Sequence, residues 1–233
     1  MHIPDGYLSP QTYVPAYGVM AVVWAVVSAR AKRTLTDRQI PLLALCSAFA
    51  FVIMMFNVPT PGGTTGHAVG AVLLAILIGP SAACLAVTTV LVAQALIFGD
   101  GGVTAIGANC FNMAFVMPFV GYAVYRALGG AKPRPSRLRP LAAGIAGFVG
   151  LNAAALCFAL EMGIQPLIAH DSAGRALYAP FPLSVTVPAI MIWHLTILGF
   201  VEAAVTALVV AYLQKAEPSL IGITETRPGE TAE

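Results

Sequence analysis

The sequence predicts an all-α membrane protein: a seven-transmembrane-helix bundle, N-terminus outside and C-terminus cytoplasmic, with an inward-dipping loop before helix 3. Three observations predict it. Of 233 residues, 58% are hydrophobic and only 9% are charged, against about a quarter charged in soluble chains, and the mean hydropathy is +0.84. Apolar runs recur along almost the whole chain, and a spanning helix needs roughly 20 residues of such sequence. Lysine and arginine are also distributed very unevenly between the links.

Taken in order, the apolar runs cover about 12–29, 40–57, 64–79, 81–98, 103–126, 140–160 and 186–213. Arg30, Lys32, Arg33 and Arg38 follow the first run. Arg126, Lys132, Arg134, Arg137 and Arg139 follow the fifth, and Lys215 and Arg227 the seventh. The remaining links and the N-terminus hold only Arg175. Seven spans put all the other basic residues on one side, which the positive-inside rule makes the cytoplasm. The first residues lack the basic n-region and cleavage site of a signal peptide, so the N-terminus is expected to cross uncleaved. Residues 1–216 are expected to form a single transmembrane domain, and the polar 217–233 a flexible cytoplasmic tail.

The third run is short. From 68 to 79 it offers ~18 Å of helix against a hydrocarbon core of ~30 Å. The stretch before it, "NVPTPGGTTGH", is too rich in proline and glycine for an ordinary helix. Irregular backbone at membrane depth survives only where it is buried or lines a cavity. The loop is therefore expected to dip from the outer face and carry His67 below the surface, the alternative being an exposed loop with His67 near the interface.

His2 has a particular chemical setting. The Met1 α-amine, the His2 amide nitrogen and the His2 imidazole can close a five- and a six-membered chelate ring around one metal. Cu(II) and Ni(II) displace amide protons and prefer planar, nitrogen-rich sites. One planar position stays open for a second imidazole, and His67 is the candidate on the same face. The bulky His2 also favours retention of Met1, Pro4 stiffens the exit and Asp5-Gly6 permits a turn. The alternative is a disordered tail with a chance histidine. Asn109, Asn112 and Asp100 are candidates for supporting such a site, the two asparagines equally for bonding between helices.

Other polar residues inside the runs are Gln94, His194 and Glu202. His194 and Glu202 share a helix face but sit ~12 Å apart along it, too far to ligate one ion together. His194 is expected to bond a neighbouring helix, and His170 to be a bystander in the 161–185 link. Ala21, Ala25 and Ala29 form a small-residue stripe, which serves close packing within the bundle or, if it faces lipid, docking of another membrane subunit. The four cysteines read as small buried hydrophobes. The chain has no GxxxxGK[ST] and no HExxH, which argues against nucleotide hydrolysis and zinc proteolysis by this chain.

"MHIPDGYLSP", "GGTTGHAVGAVLLAILIGP", "QALIFGDGGVTAIGANCFNMA" and the late His194 and Glu202 together resemble the CbiM/NikM family. These are substrate-specific (S) membrane components of energy-coupling-factor transporters for cobalt and nickel. The resemblance is dense over residues 1–126 and loose over 140–213. It implies a seven-helix bundle with the N-terminus inserted into a metal site formed by the Met1 amine, the His2 amide and imidazole and the His67 imidazole. It further implies a transported Ni²⁺ or Co²⁺ with no catalytic cofactor, and a chain without enzymatic activity in the plasma membrane. The implied partners are a transmembrane coupling (T) subunit, cytoplasmic ATPase subunits and a small accessory membrane subunit, with no nucleic acid. Alanine stripes on early helices contact the coupling subunit in this family. A metal sensor or channel without an ATPase, or an S component for another small substrate, is the alternative.

Overall fold

A computed structural model describes residues 1–36, 39–60, 64–132 and 136–222. Helix α1 is Pro10–Thr34, begun by Ser9 as N-cap with proline at the first helical position. Helix α2 is Gln39–Met54. A two-stranded antiparallel hairpin follows, β1 Val58–Thr60 and β2 Thr64–Gly66, with Val58 opposite Gly66. Helix α3, Ala71–Ile78, has only eight residues, or about 12 Å of length. Gly79, at φ +80°, turns the chain directly into α4, Pro80–Phe98. Then come α5 Ile106–Ala127, α6 Arg139–Ile168 and α7 Leu183–Ala216.

Five of these helices, α1 and α4 to α7, are long and apolar enough to cross a membrane. The opening of the third apolar run is strand and irregular backbone up to Gly70, in keeping with the expectation that the stretch through His67 is no ordinary helix. Pro61, Gly62 and Gly63 of the expected dipping loop lie outside the described residues.

Helix α6 lies between α5 and α7, and its glycines explain how. An added Cβ at Gly147 would lie 2.9 Å from the Thr206 hydroxyl, and one at Gly150 would lie 2.9 Å from the Met117 carbonyl. Small residues thus let backbones approach closely, which is how helices associate where lipid removes the hydrophobic incentive. Helix α3 sits inside this arrangement, with Ala71 to Ala75 all buried. By contrast α1 leaves Val14, Val19, Val22 and Val26 exposed. All four cysteines are free, three of them buried.

Three helices carry one wide, π-type turn each: Gln94–Phe98 in α4, Cys110–Val116 in α5 and His194–Leu198 in α7. Such turns often accompany functional sites. After α7, Pro218–Ile221 forms a short 3₁₀ turn. The buried Arg139 donates to the Ile221 carbonyl at 2.6 Å and also to that of Lys132. Residues 223–233 of the expected tail lie outside the described residues.

Candidate metal centre

The chain's first three residues are buried: Met1 is 2% exposed, His2 8% and Ile3 0%. The segment is fastened like an edge strand. The Ile3 amide donates to Asn109 Oδ1 at 2.8 Å, and the Ile3 carbonyl accepts from the Gly102 amide at 2.8 Å and from Asn109 Nδ2 at 3.2 Å. Outside the buried part, Asp5 accepts from the amides of Val103 and Thr104 and from the Thr104 hydroxyl. These bonds, the Thr104 hydroxyl first, hold the Asp5 carboxyl below its ordinary range. Gly102 is required by closeness: a Cβ there would stand 2.3 Å from the Asp5 nitrogen.

His2 meets His67 inside the bundle. The two rings stack with centroids 4.8 Å apart at 28°, and His67 is 1% exposed. His2 Nε2 lies 3.1 Å from Gln94 Oε1, and His67 Nδ1 lies 3.1 Å from the Ala68 carbonyl. Both partners are oxygens that only accept, so each of these ring nitrogens carries the proton. His2 Nδ1 and His67 Nε2 therefore keep their lone pairs, and they face each other at 3.1 Å. Asp100 Oδ1 also stands 3.3 Å from His2 Nδ1. His2 Nδ1 thus has two electron-rich neighbours, His67 Nε2 and Asp100 Oδ1.

The Met1 amine lies beside this point and donates to the Thr65 carbonyl at 2.7 Å. Burial lowers its pKa to about 5, with Asp100 opposing the shift. Burial, and then the neighbouring terminal amine, lower that of His2 to about 4. The same causes hold His67 well below the ordinary histidine value. All three groups are unprotonated at neutral pH, the state a metal requires.

Two nitrogens bound at right angles about 2.0–2.1 Å from one ion lie about 2.9 Å apart. The 3.1 Å between His2 Nδ1 and His67 Nε2 is close to that separation. Among the described residues, no cluster of three His, Cys, Asp or Glu side chains is spaced to hold an ion.

Of the expected supporting residues, Asn109 holds Ile3 and Asp100 faces His2. Asn112 instead donates to Glu161 Oε2 at 2.7 Å and ties α5 to α6. His170 is exposed, with Nδ1 against the Asp171 carbonyl. His194 departs from expectation: its Nδ1 bonds the Ile190 carbonyl of its own helix at 2.8 Å, one turn back, and not a neighbouring helix. That carbonyl already accepts the His194 backbone N–H, and its second lone pair takes the ring of the same residue. Glu202 binds the amides of Val69 and Gly70. Gln94 was legible only as a lone amide in the apolar run "LVAQALIF", with nothing to show that it faces His2. Ala21, Ala25 and Ala29 are all exposed, on the outward side of α1.

Residues 2–220 match the CbiM family, described as the cobalt uptake substrate-specific transmembrane region. The chain belongs to that family. It is 52% identical over 221 residues to the fused nickel transport protein NikMN of Rhodobacter capsulatus, covering 95% of this chain and 64% of that protein. It is 37% identical over 129 residues to the cobalt transport protein CbiM of Ruminiclostridium cellulolyticum, covering 54% of this chain and 52% of that protein. A crystal structure of a truncated transition metal transporter superposes with a TM-score of 0.88 at 51% identity, covering 93% of this chain and 99% of that one. Together with the five long apolar helices, membership in this transport family makes the chain a multi-pass membrane protein with a transport role.

Proposed function

We propose that this chain is the ion-capture S component of an energy-coupling-factor importer for Ni²⁺ or Co²⁺. Its ligands are the Met1 amine, the His2 amide, His2 Nδ1 and His67 Nε2, disposed as a planar four-nitrogen site. The observation that carries the reading is the approach of His2 Nδ1 and His67 Nε2 to 3.1 Å between buried side chains, with the Met1 amine next to His2 in the chain. The amide belongs to the set because it lies between amine and imidazole in the same chelate. Planar four-nitrogen coordination suits Ni²⁺, which is the favoured ion.

Seven segments cross the membrane with the N-terminus outside, the third of them by the hairpin and irregular backbone before α3 together with the short α3 itself, in keeping with the basic residues gathered between α1 and α2, between α5 and α6 and after α7. Asp100 and Asn109 support the site, and residues 1–216 act as one domain; the start of the expected flexible tail is instead ordered, with Pro218–Ile221 turned back so that the Ile221 carbonyl accepts from the buried Arg139. Transport is powered by cytoplasmic ATPase subunits through a transmembrane coupling subunit docked on the exposed Ala21, Ala25 and Ala29, with a small accessory membrane subunit alongside.

The deciding experiment is a Ni²⁺ titration of purified protein that begins at Met1, beside a form with one residue added before it. The native form should bind one ion with the absorption band of planar nickel(II). The extended form should lose affinity by more than the roughly 10–100-fold that outer-shell changes cost. Equal affinity in the two forms would refute the chelate.

A further inference from the structure

The donors of the candidate site hang from two different parts of the bundle. Met1 to Ile3 are held by α4, by the α4–α5 link and by α5, through Gln94, Gly102 and Asn109. His67 is gripped on both flanks by α7. Before it, Gly66 lies against Leu198, so closely that an added Cβ would fall 2.0 Å from Leu198 Cδ1. After it, the carboxylate of Glu202 reaches the backbone, with Oε2 2.8 Å from the Val69 nitrogen and Oε1 3.0 Å from the Gly70 nitrogen. Glu202 is 0% exposed. It sits at the start of α3, whose first residues have no side-chain cap of their own.

One peptide plane links this carboxylate to the ring of His67. The N–H of the Ala68–Val69 peptide donates to Glu202, and the C=O of the same peptide accepts the His67 Nδ1 proton at 3.1 Å. Metal-bound histidines commonly present their second nitrogen to a carboxylate or carbonyl, which sets the tautomer and raises ligand basicity. The carboxylate and the carbonyl are here arranged in series. Hydrogen bonds in such a chain polarise one another.

We infer that Glu202 is a positioning residue for metal capture, acting through the Ala68–Val69 peptide to hold His67 with its proton on Nδ1 and Nε2 turned to the ion. The inference rests on the four-nitrogen reading above. It also makes α7 the element that sets the fourth donor, while α4 and α5 set the other three. A displacement of α7 would withdraw His67 and leave the ion on three nitrogens.

The test is a double-mutant cycle on full-length protein beginning at Met1, with Ni²⁺ affinity measured by chelator competition and the absorption spectrum of the loaded form recorded. Glu202→Ala should weaken binding about 10–100-fold, the usual cost of an outer-shell loss. Its loaded spectrum should shift toward that of His67→Ala. Glu202→Gln keeps one acceptor oxygen and should fall between wild type and Glu202→Ala. In the His67→Ala background the Glu202 change should alter affinity by no more than about twofold, the scatter within which independent effects add. An unchanged spectrum, or an equal loss in both backgrounds, would mean that Glu202 only supports the fold and would overturn the inference. If Glu202→Ala does not fold, Glu202→Gln completes the same cycle with the same criteria. A wild-type protein without a planar nickel spectrum overturns the four-nitrogen reading itself, before any variant is compared.

Discussion

Loading the site with Ni²⁺ should release about one proton per ion at pH 7, and this number follows from how the donors are buried. An exposed α-amine near 8.0 is roughly nine-tenths protonated at pH 7, and each exposed imidazole near 6.5 about a quarter protonated. Displacing those protons together with the amide proton would release about two and a half per ion. In the folded chain, burial brings the Met1 amine to about 5 and His2 to about 4, and holds His67 well below its ordinary value. All three are then already deprotonated, and only the His2 amide has a proton to lose. Calorimetric titration in buffers of different ionisation enthalpy reads the count directly.

The direction of the pH dependence follows from the same shifts. Each folded value lies below the ordinary one, so protons compete for amine and imidazole only in acid. Affinity should fall about tenfold per pH unit between pH 8 and 6, from the amide alone, and more steeply below about pH 5. A count near two and a half would show that the donors are protonated and solvated before metal arrives. A count near zero would remove the amide from the ligand set.

Other predictions concern single residues. His67→Ala should leave a three-nitrogen site of much weaker affinity, while the exposed His170→Ala should bind as wild type; equal effects in the same Ni²⁺ titration would break the assignment. Gly102→Ala places a methyl 2.3 Å from the Asp5 nitrogen. It should push the N-terminal segment out of the bundle, costing about 1–3 kcal/mol as overpacking does and lowering metal affinity with helix content by circular dichroism unchanged. Gln94→Leu removes the acceptor that holds the His2 proton on Nε2. It should cost about 10–100-fold in Ni²⁺ affinity, and full retention of affinity would show that the tautomer is set elsewhere.

Part of the proposed site is legible in the sequence. The chelating order of amine, amide and imidazole is a property of two adjacent residues, so Met1 and His2 declare it locally. His67 was legible because proline and glycine around it forbid a helix in an otherwise apolar stretch. The supporting residues were less so. Asp100 and Asn109 stood out as polar groups near the outer end, and both touch the N-terminal segment. Asn112, three residues on from Asn109, turns to Glu161, since the wide turn at Cys110–Val116 alters the helical register between them. Gln94 and Glu202 were visible as buried polar residues without any indication of their partners.

The sequence by itself determined the membrane-embedded class of this protein and the donor atoms available near its N-terminus. Those depend on composition and on neighbours along the chain. Only the tertiary structure decided which lone pairs face one another, because that depends on residues 65, 92, 106 and 133 positions apart being brought together. No local pattern encodes that the Ala68–Val69 peptide stands between Glu202 and His67. Packing of α7 against the loop places it there, and burial of the cluster favours the uncharged forms of the Met1 amine and of both imidazoles.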